Sequence, residues 1–274
     1  MQPHQPWWRV DFGELFHFRD LLWLLVRRDL LAVYKQTVLG PLWQVLQPLL
    51  TSLMFAVIFG LMARMSVQGI PPMLFYLAAV VPWTFFANII NRTSQTLVWN
   101  AALMSKVYFP RLVAPIATTL STMVSFFIQL ASFLLIALIY RLSGAYAWTM
   151  DATVLMLPVL IILMTVLAFG IGILVAALTT KFRDLGFLLT FGIQLLMYMS
   201  PVIFPLSMVP PGSKLRWVIE FNPMTSIIEG FRSVLLGLPM DWGLLLYTTA
   251  FAMVSLMAGL AVFQRVQRSF ADVI

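Results

Sequence analysis

The chain has no cysteine among its 274 residues, which excludes disulfides, thiol nucleophiles and Cys-ligated metals. Histidine is confined to His4 and His17, both ahead of any apolar run. No H-E-x-x-H, no G-x-S-x-G and no paired carboxylate falls inside an apolar run. No glycine is followed by lysine, so a GxxxxGK[ST] phosphate-binding loop cannot form. The start, MQPHQPWWRVDFGELF, lacks a basic segment leading into an apolar core and does not read as a cleaved signal. Charge is scarce too, at 10% against roughly 25% in a soluble domain. With 61% hydrophobic residues and a mean hydropathy of +0.95, too little polar side chain exists to coat a soluble globule. Lipid must therefore solvate most of the surface.

What remains is apolar sequence in runs close to the ~20 residues that an α-helix needs to cross about 30 Å of hydrocarbon. A barrel would show alternating segments of roughly ten residues. The fold class is an all-α integral membrane protein with six transmembrane helices. The expected spans are 42–63, 73–98 (with Pro82 kinking it), 112–140, 154–179, 185–205 and 242–263. Counting Lys and Arg places Arg9, Arg19, Arg27, Arg28, Lys35, Arg92, Lys106, Arg111, Lys181, Arg183, Arg265 and Arg268 on one side. Arg64, Arg141, Lys214, Arg216 and Arg232 fall on the other. The richer side is cytoplasmic, with both termini. The net charge of +7 reads as cytoplasmic Lys and Arg facing lipid head groups, or as attraction to an anionic partner.

Residues 1–39 form a cytoplasmic tail and an interfacial amphipathic helix over 14–35. Its apolar arc is Leu15, Leu22, Trp23, Val26, Leu30, Val33 and Tyr34, with Glu14, Asp20, Arg27, Arg28 and Lys35 opposite. Gly40-Pro41 then breaks that helix and starts the first span, opening the six-helix domain of 40–274. Two inner loops, 98–111 and 180–186, carry more structure than plain connectors; Phe109-Pro110 would end a short helix. The long segment 206–241 is punctuated by proline and glycine. It reads as short re-entrant or interfacial helices on the outer face.

The runs RRDLLAVYKQTVLGPLWQVLQPLL, KVYFPRLVAP, FRDLGFLLTFGIQLLMYMSPVIFP and NPMTSIIEGFR resemble, in this order, the ABC-2 class of exporter permeases. Within that class they are most similar to subunits exporting O-antigen, capsule or teichoic-acid polymers. The resemblance implies a homodimer served by two separate cytoplasmic ATP-binding subunits that hold ATP and magnesium; this chain would carry no cofactor. It also implies that the two inner loops are the coupling elements. Asn100, Lys106, Phe109, Pro110, Arg183 and Asp184 are their candidate contacts.

Three further groups follow. Arg27, Arg28 and Lys35 could meet the phosphate of a lipid-linked substrate at a side door, with Tyr34 or Trp43 against its first sugar. Anchoring to anionic head groups is the plainer alternative. Gln44, Gln47, Asn88, Asn91, Gln95, Gln129 and Gln194 are intramembrane amides that either line a path or bridge helices. Trp83, Phe86 and Tyr198 are aromatic path candidates, since sugars stack C–H faces on rings, though interfacial belts use the same residues. In the outer segment Glu229 and Arg232 stand at i, i+3. With Asn222 they either hold a short helix or gate the outer mouth. Span interiors offer almost no ionisable residue, which argues against an ion-coupled transporter.

The expected function is export of a lipid-linked polysaccharide across a bacterial inner membrane, by a subunit without catalysis, metal or nucleic acid of its own. Export of a drug or small lipid is the alternative. A membrane acyl- or glycosyltransferase lacks its His or Asp site here, and a purely structural anchor leaves the intramembrane amides unexplained.

Overall fold

The computed structural model describes residues 12–34, 39–63, 65, 69–104, 106–148, 152–180, 182 and 184–271. Lys35 and Arg183, candidates for the side door and for an inner loop, lie outside them, as does the side chain of Tyr34.

Every regular element among the described residues is helical. Helices α1 (Phe12–His17) and α2 (Arg19–Tyr34) are nearly continuous: the amide of Leu22 donates to the Phe18 carbonyl across the turn. Helix α3 (Leu42–Phe55) widens into a π-helical stretch, Ala56–Met62, and carries Pro48, which removes one backbone donor. Then come α4 (Pro72–Trp99), the single turn α5 (Ala101–Met104) and α6 (Val113–Leu142). Helix α7 (Leu157–Thr179) is followed by α8 (Leu185–Tyr198), α9 (Lys214–Phe221), α10 (Pro223–Leu236) and α11 (Trp242–Ala271). Asn222 caps α10 through its side chain, accepting from the Met224 amide at 3.0 Å, and Gly237 ends it at φ +73°.

Among the described residues, five helices are long and apolar enough to cross a membrane: 42–62, 72–99, 113–142, 152–179 and 242–266. The expected span 185–205 differs. Its helix α8 has 14 residues, roughly 21 Å at 1.5 Å per residue, short of about 30 Å of hydrocarbon. The prolines of SPVIFP are the reason: Pro201 and Pro205 cannot donate, and the chain leaves the helix at Met199.

Helix α4 is the axis of the bundle, buried along most of its length against α7, α6, α10 and α3. Helix α7 packs still more extensively on α11. That contact is a backbone approach: a Cβ at Gly170 would lie 2.6 Å from the Leu256 amide nitrogen, and one at Gly259 would meet the Gly170 carbonyl. At the α2 end, Leu25 and Val26 pack with Phe109, Val113, Ala114 and Ala117, joined by Leu21, Leu22 and Leu30. This rotates the expected arc. Leu25 is buried whereas Trp23 is exposed, because the shallow Val113–Ala114–Ala117 surface of α6, rather than the weak amphipathicity of α2, decides what is covered.

A side chain at Gly259 cannot rotate away from a carbonyl. Gly259→Val should lower stability by about 1–3 kcal/mol, seen as a lower thermal midpoint in detergent by tryptophan fluorescence. An unchanged midpoint would contradict the close α7–α11 approach.

Candidate functional site

Two polar assemblies occupy opposite ends of α4. The first is centred on Arg232 of α10, whose side chain has no exposed surface. Its Nη1 donates to the carbonyl of Pro201 at 2.6 Å and to Glu229 Oε1 at 2.9 Å; Nη2 donates to the carbonyl of Val202 at 3.0 Å. The guanidinium carbon lies 3.8 Å from the centre of the Phe75 ring on α4, in cation–π geometry. Asn222 adds a second tie, donating from Nδ2 to Ser200 Oγ at 2.7 Å. The carbonyls freed where α8 breaks are therefore taken up by α10. Asn222, Glu229 and Arg232 are brought together around 200–204, and the arrangement is that of a clamp on a short helix. Just beyond it, Trp148 Nε1 donates to the Leu235 carbonyl at 2.7 Å. Burial raises the pKa of the neighbouring Tyr146 phenol.

The second assembly is a cavity of about 700 Å³ at the α2 end of the bundle. Helix α3 contributes Trp43, Gln44 and Gln47, and Leu39-Gly40 forms its rim. From α4 come Asn88 and Arg92, and from α6 Thr122, Ser125 and Gln129. Arg92 donates to Thr122 Oγ1 at 3.4 Å, a long bond. Gln129 is buried, and its Oε1 has no hydrogen-bond partner among the described residues. Trp43 is exposed at the mouth. The cavity thus offers amides, hydroxyls, one cation and an indole, a set that suits a polar, hydroxyl-bearing ligand.

The candidates divide accordingly. Trp43, Gln44, Gln47 and Asn88 share this cavity. Trp83 and Phe86 do not reach it: they pack in the core with ring centroids 5.6 Å apart. Gln194 and Tyr198 are exposed on α8, beside the equally exposed Phe187 and Phe191. Asn91 acts as a bridge, accepting from Thr190 Oγ1 at 3.2 Å. Gly186 packs against the Gln95 amide.

Arg27 is exposed on α2. Arg28 is held twice, to Asp29 at 2.8 Å and to Asn100 Oδ1 at 2.8 Å, and Asn100 Nδ2 donates onward to the Thr96 carbonyl. A side-door candidate and an inner-loop candidate are thus one hydrogen-bonded unit. Phe109 is buried against α2, and Pro110 receives the Val113 amide on its carbonyl. Lys106 and Asp184 are exposed, and Tyr108 projects with 84% of its surface free. Burial lowers the pKa of Arg111 in the same loop.

A family model described as ABC-2 type transporter matches residues 20–236, from the start of α2 to the end of α10. The chain belongs to the ABC-2 type transporter family. Among its relatives, an O-antigen export system permease protein RfbA of Klebsiella pneumoniae is 28% identical over 268 residues, 97% of this chain and 98% of that one. The RfbA of Myxococcus xanthus is 27% identical over 94% of this chain and 97% of its own. A polysialic acid transport protein KpsM of Escherichia coli is 27% identical over 88% and 91%. This ABC-2 protein is a multi-pass membrane protein whose relatives are named for export and transport.

Sequence reasoning passed over Arg92, Thr122 and Ser125. The available signal was spacing: Gln44/Gln47, Asn88/Arg92 and Thr122/Ser125/Gln129 each recur at three or four residues, one face of a helix apiece.

Removing Arg232 strands the carbonyls of Pro201 and Val202 and leaves Glu229 without its partner. Arg232→Met should cost about 3–5 kcal/mol, and Glu229→Gln, which keeps an acceptor and both carbonyl bonds but removes the counter-charge of a fully buried guanidinium, a smaller loss of about 1–3 kcal/mol. Thermal unfolding of the two variants checks the order; equal effects would contradict the carbonyl clamp.

Proposed function

We propose that this chain is the membrane permease subunit of an ATP-driven exporter that carries a lipid-linked polysaccharide outward across the bacterial inner membrane. The observation that carries this reading is the near end-to-end relationship to permeases named for O-antigen export. The cavity chemistry agrees with it: amides, hydroxyls and an indole hydrogen-bond and stack on sugars.

The same reading includes six crossings. Gly186 meets Gln95 near one end of α4, while 201–204 meet Arg232 over Phe75 near the other. Helix α8 and the stretch after it therefore run alongside about twenty residues of α4, roughly 30 Å of helix. Irregular backbone at that depth is tolerable when it is covered by protein and its carbonyls are satisfied, and Ser200–Ile203 are buried. The exposed apolar faces of α3 and α8 are left for a second copy. The exposed Tyr108 and Lys106 of the inner loop, with Asp184, are left for the ATP-binding subunits. Both termini would then be cytoplasmic, and hydrolysis would belong to the partner with its ATP and magnesium.

Cells lacking this chain should retain completed polysaccharide inside, and wild-type protein should restore it to the surface. A Lys106→Ala/Tyr108→Ala variant, altered only at exposed positions, should insert normally but lose about tenfold in export, as for an aromatic interface anchor. Immunodetection of surface polysaccharide reads both results. Unchanged export in the double variant would remove the coupling role of this loop.

A further inference from the structure

The cavity between α3, α4 and α6 contains a cation that the clamp, the inner loops and the helix packing do not use. Arg92 is half-buried, and among the described residues its guanidinium donates only the 3.4 Å bond to Thr122 and has no carboxylate at ion-pair distance. The Asp29 carboxylate is bonded by Arg28 at 2.8 Å. A guanidinium has five donors in a planar fork that matches phosphate oxygens, so most of its capacity is open.

A second feature points the same way. Gln129 is 4% exposed, lines the same cavity, and leaves its amide oxygen without a partner among the described residues. A buried acceptor without a donor costs free energy that a ligand hydroxyl would recover. Cation and acceptor thus occupy one polar cavity, whose rim is the exposed Trp43 beside Gly40.

We propose that this cavity is a headgroup site in which Arg92 holds the phosphate of a lipid-borne glycan while Gln129 and Trp43 receive the adjoining sugar. The inference rests on the export reading above and gives it an address. Phosphate on a lipid has two possible sources here, a polyprenyl diphosphate sugar or an ordinary anionic phospholipid, and the sugar-seeking groups favour the first.

The chain's lack of cysteine supplies the test. Ser125→Cys introduces a single thiol into this chain at the cavity wall. The transporter, assembled with its ATP-binding subunit in vesicles, is labelled with a maleimide against increasing polyprenyl diphosphate N-acetylhexosamine. Phosphatidylglycerol at equal mole fraction serves as comparison. The proposal expects the glycolipid to slow labelling several-fold and phosphatidylglycerol to leave it nearly unchanged. Adding Arg92→Gln should raise the half-protecting glycolipid concentration about tenfold, the scale of one charge-assisted hydrogen bond. Three results would overturn it: no protection, equal protection by phosphatidylglycerol, or an identical half-protecting concentration in Arg92→Gln. The first two do not depend on Arg92→Gln folding. ATP hydrolysis in the same vesicles separates the levels. Stimulation by the glycolipid without protection removes the site and leaves the export reading standing; neither stimulation nor protection removes both.

Discussion

One buried guanidinium allows the chain to be irregular in a buried stretch, where unpaired backbone is costly. Without water, each unpaired carbonyl in hydrocarbon costs several kcal/mol. Pro201 and Pro205 make such carbonyls unavoidable by ending α8 early. Arg232 answers them with two of its nitrogens, and Phe75 covers its face. Because Arg232 belongs to α10, the short helix, the break after α8 and the start of α4 are fixed as a single unit. A helix with no such break would have crossed more simply, but it would not have placed α10 inside the bundle between α4 and α11.

The opposite end follows a different logic. There α2 rests on α6 through Leu25 and Val26, and Arg28 binds Asn100 where α4 gives way to α5. The end of α4 that leads into the exposed loop at Lys106 and Tyr108 is thereby tied to α2. Helix α3, whose first turns form one wall of the cavity, begins shortly after α2 and is weakened by Pro48 and by its π-helical stretch. A stiff axis, α4, thus stands beside a softer wall, α3, with the polar cavity between them.

Much of this was legible in the sequence because the membrane enforces it. Five apolar runs became five long helices, and the Glu229–Arg232 spacing became an ion pair at 2.9 Å. Trp43, Gln44, Gln47 and Asn88 met in one cavity because each lies at the same depth of a neighbouring helix. What was illegible depended on partners distant in sequence. Nothing local to Arg232 announces the carbonyls of Pro201 and Val202. Trp83 and Phe86 look like path aromatics until the bundle closes over them, and Arg92 looks like an ordinary inner-end cation until Gln129 is seen beside it. The rotation of α2, with Leu25 inward and Trp23 outward, was likewise set by the shape of α6 and not by the composition of α2.

The central claim is that α8 and the clamped stretch after it complete a sixth crossing, so that the loop at Val107 and the turn at Ser213 face opposite sides of the membrane. Single cysteines at these two positions, probed in intact cells with a membrane-impermeant maleimide, test it directly. The account predicts labelling of Ser213→Cys from outside, and of Val107→Cys only after permeabilisation. Labelling of both from the same side would contradict it.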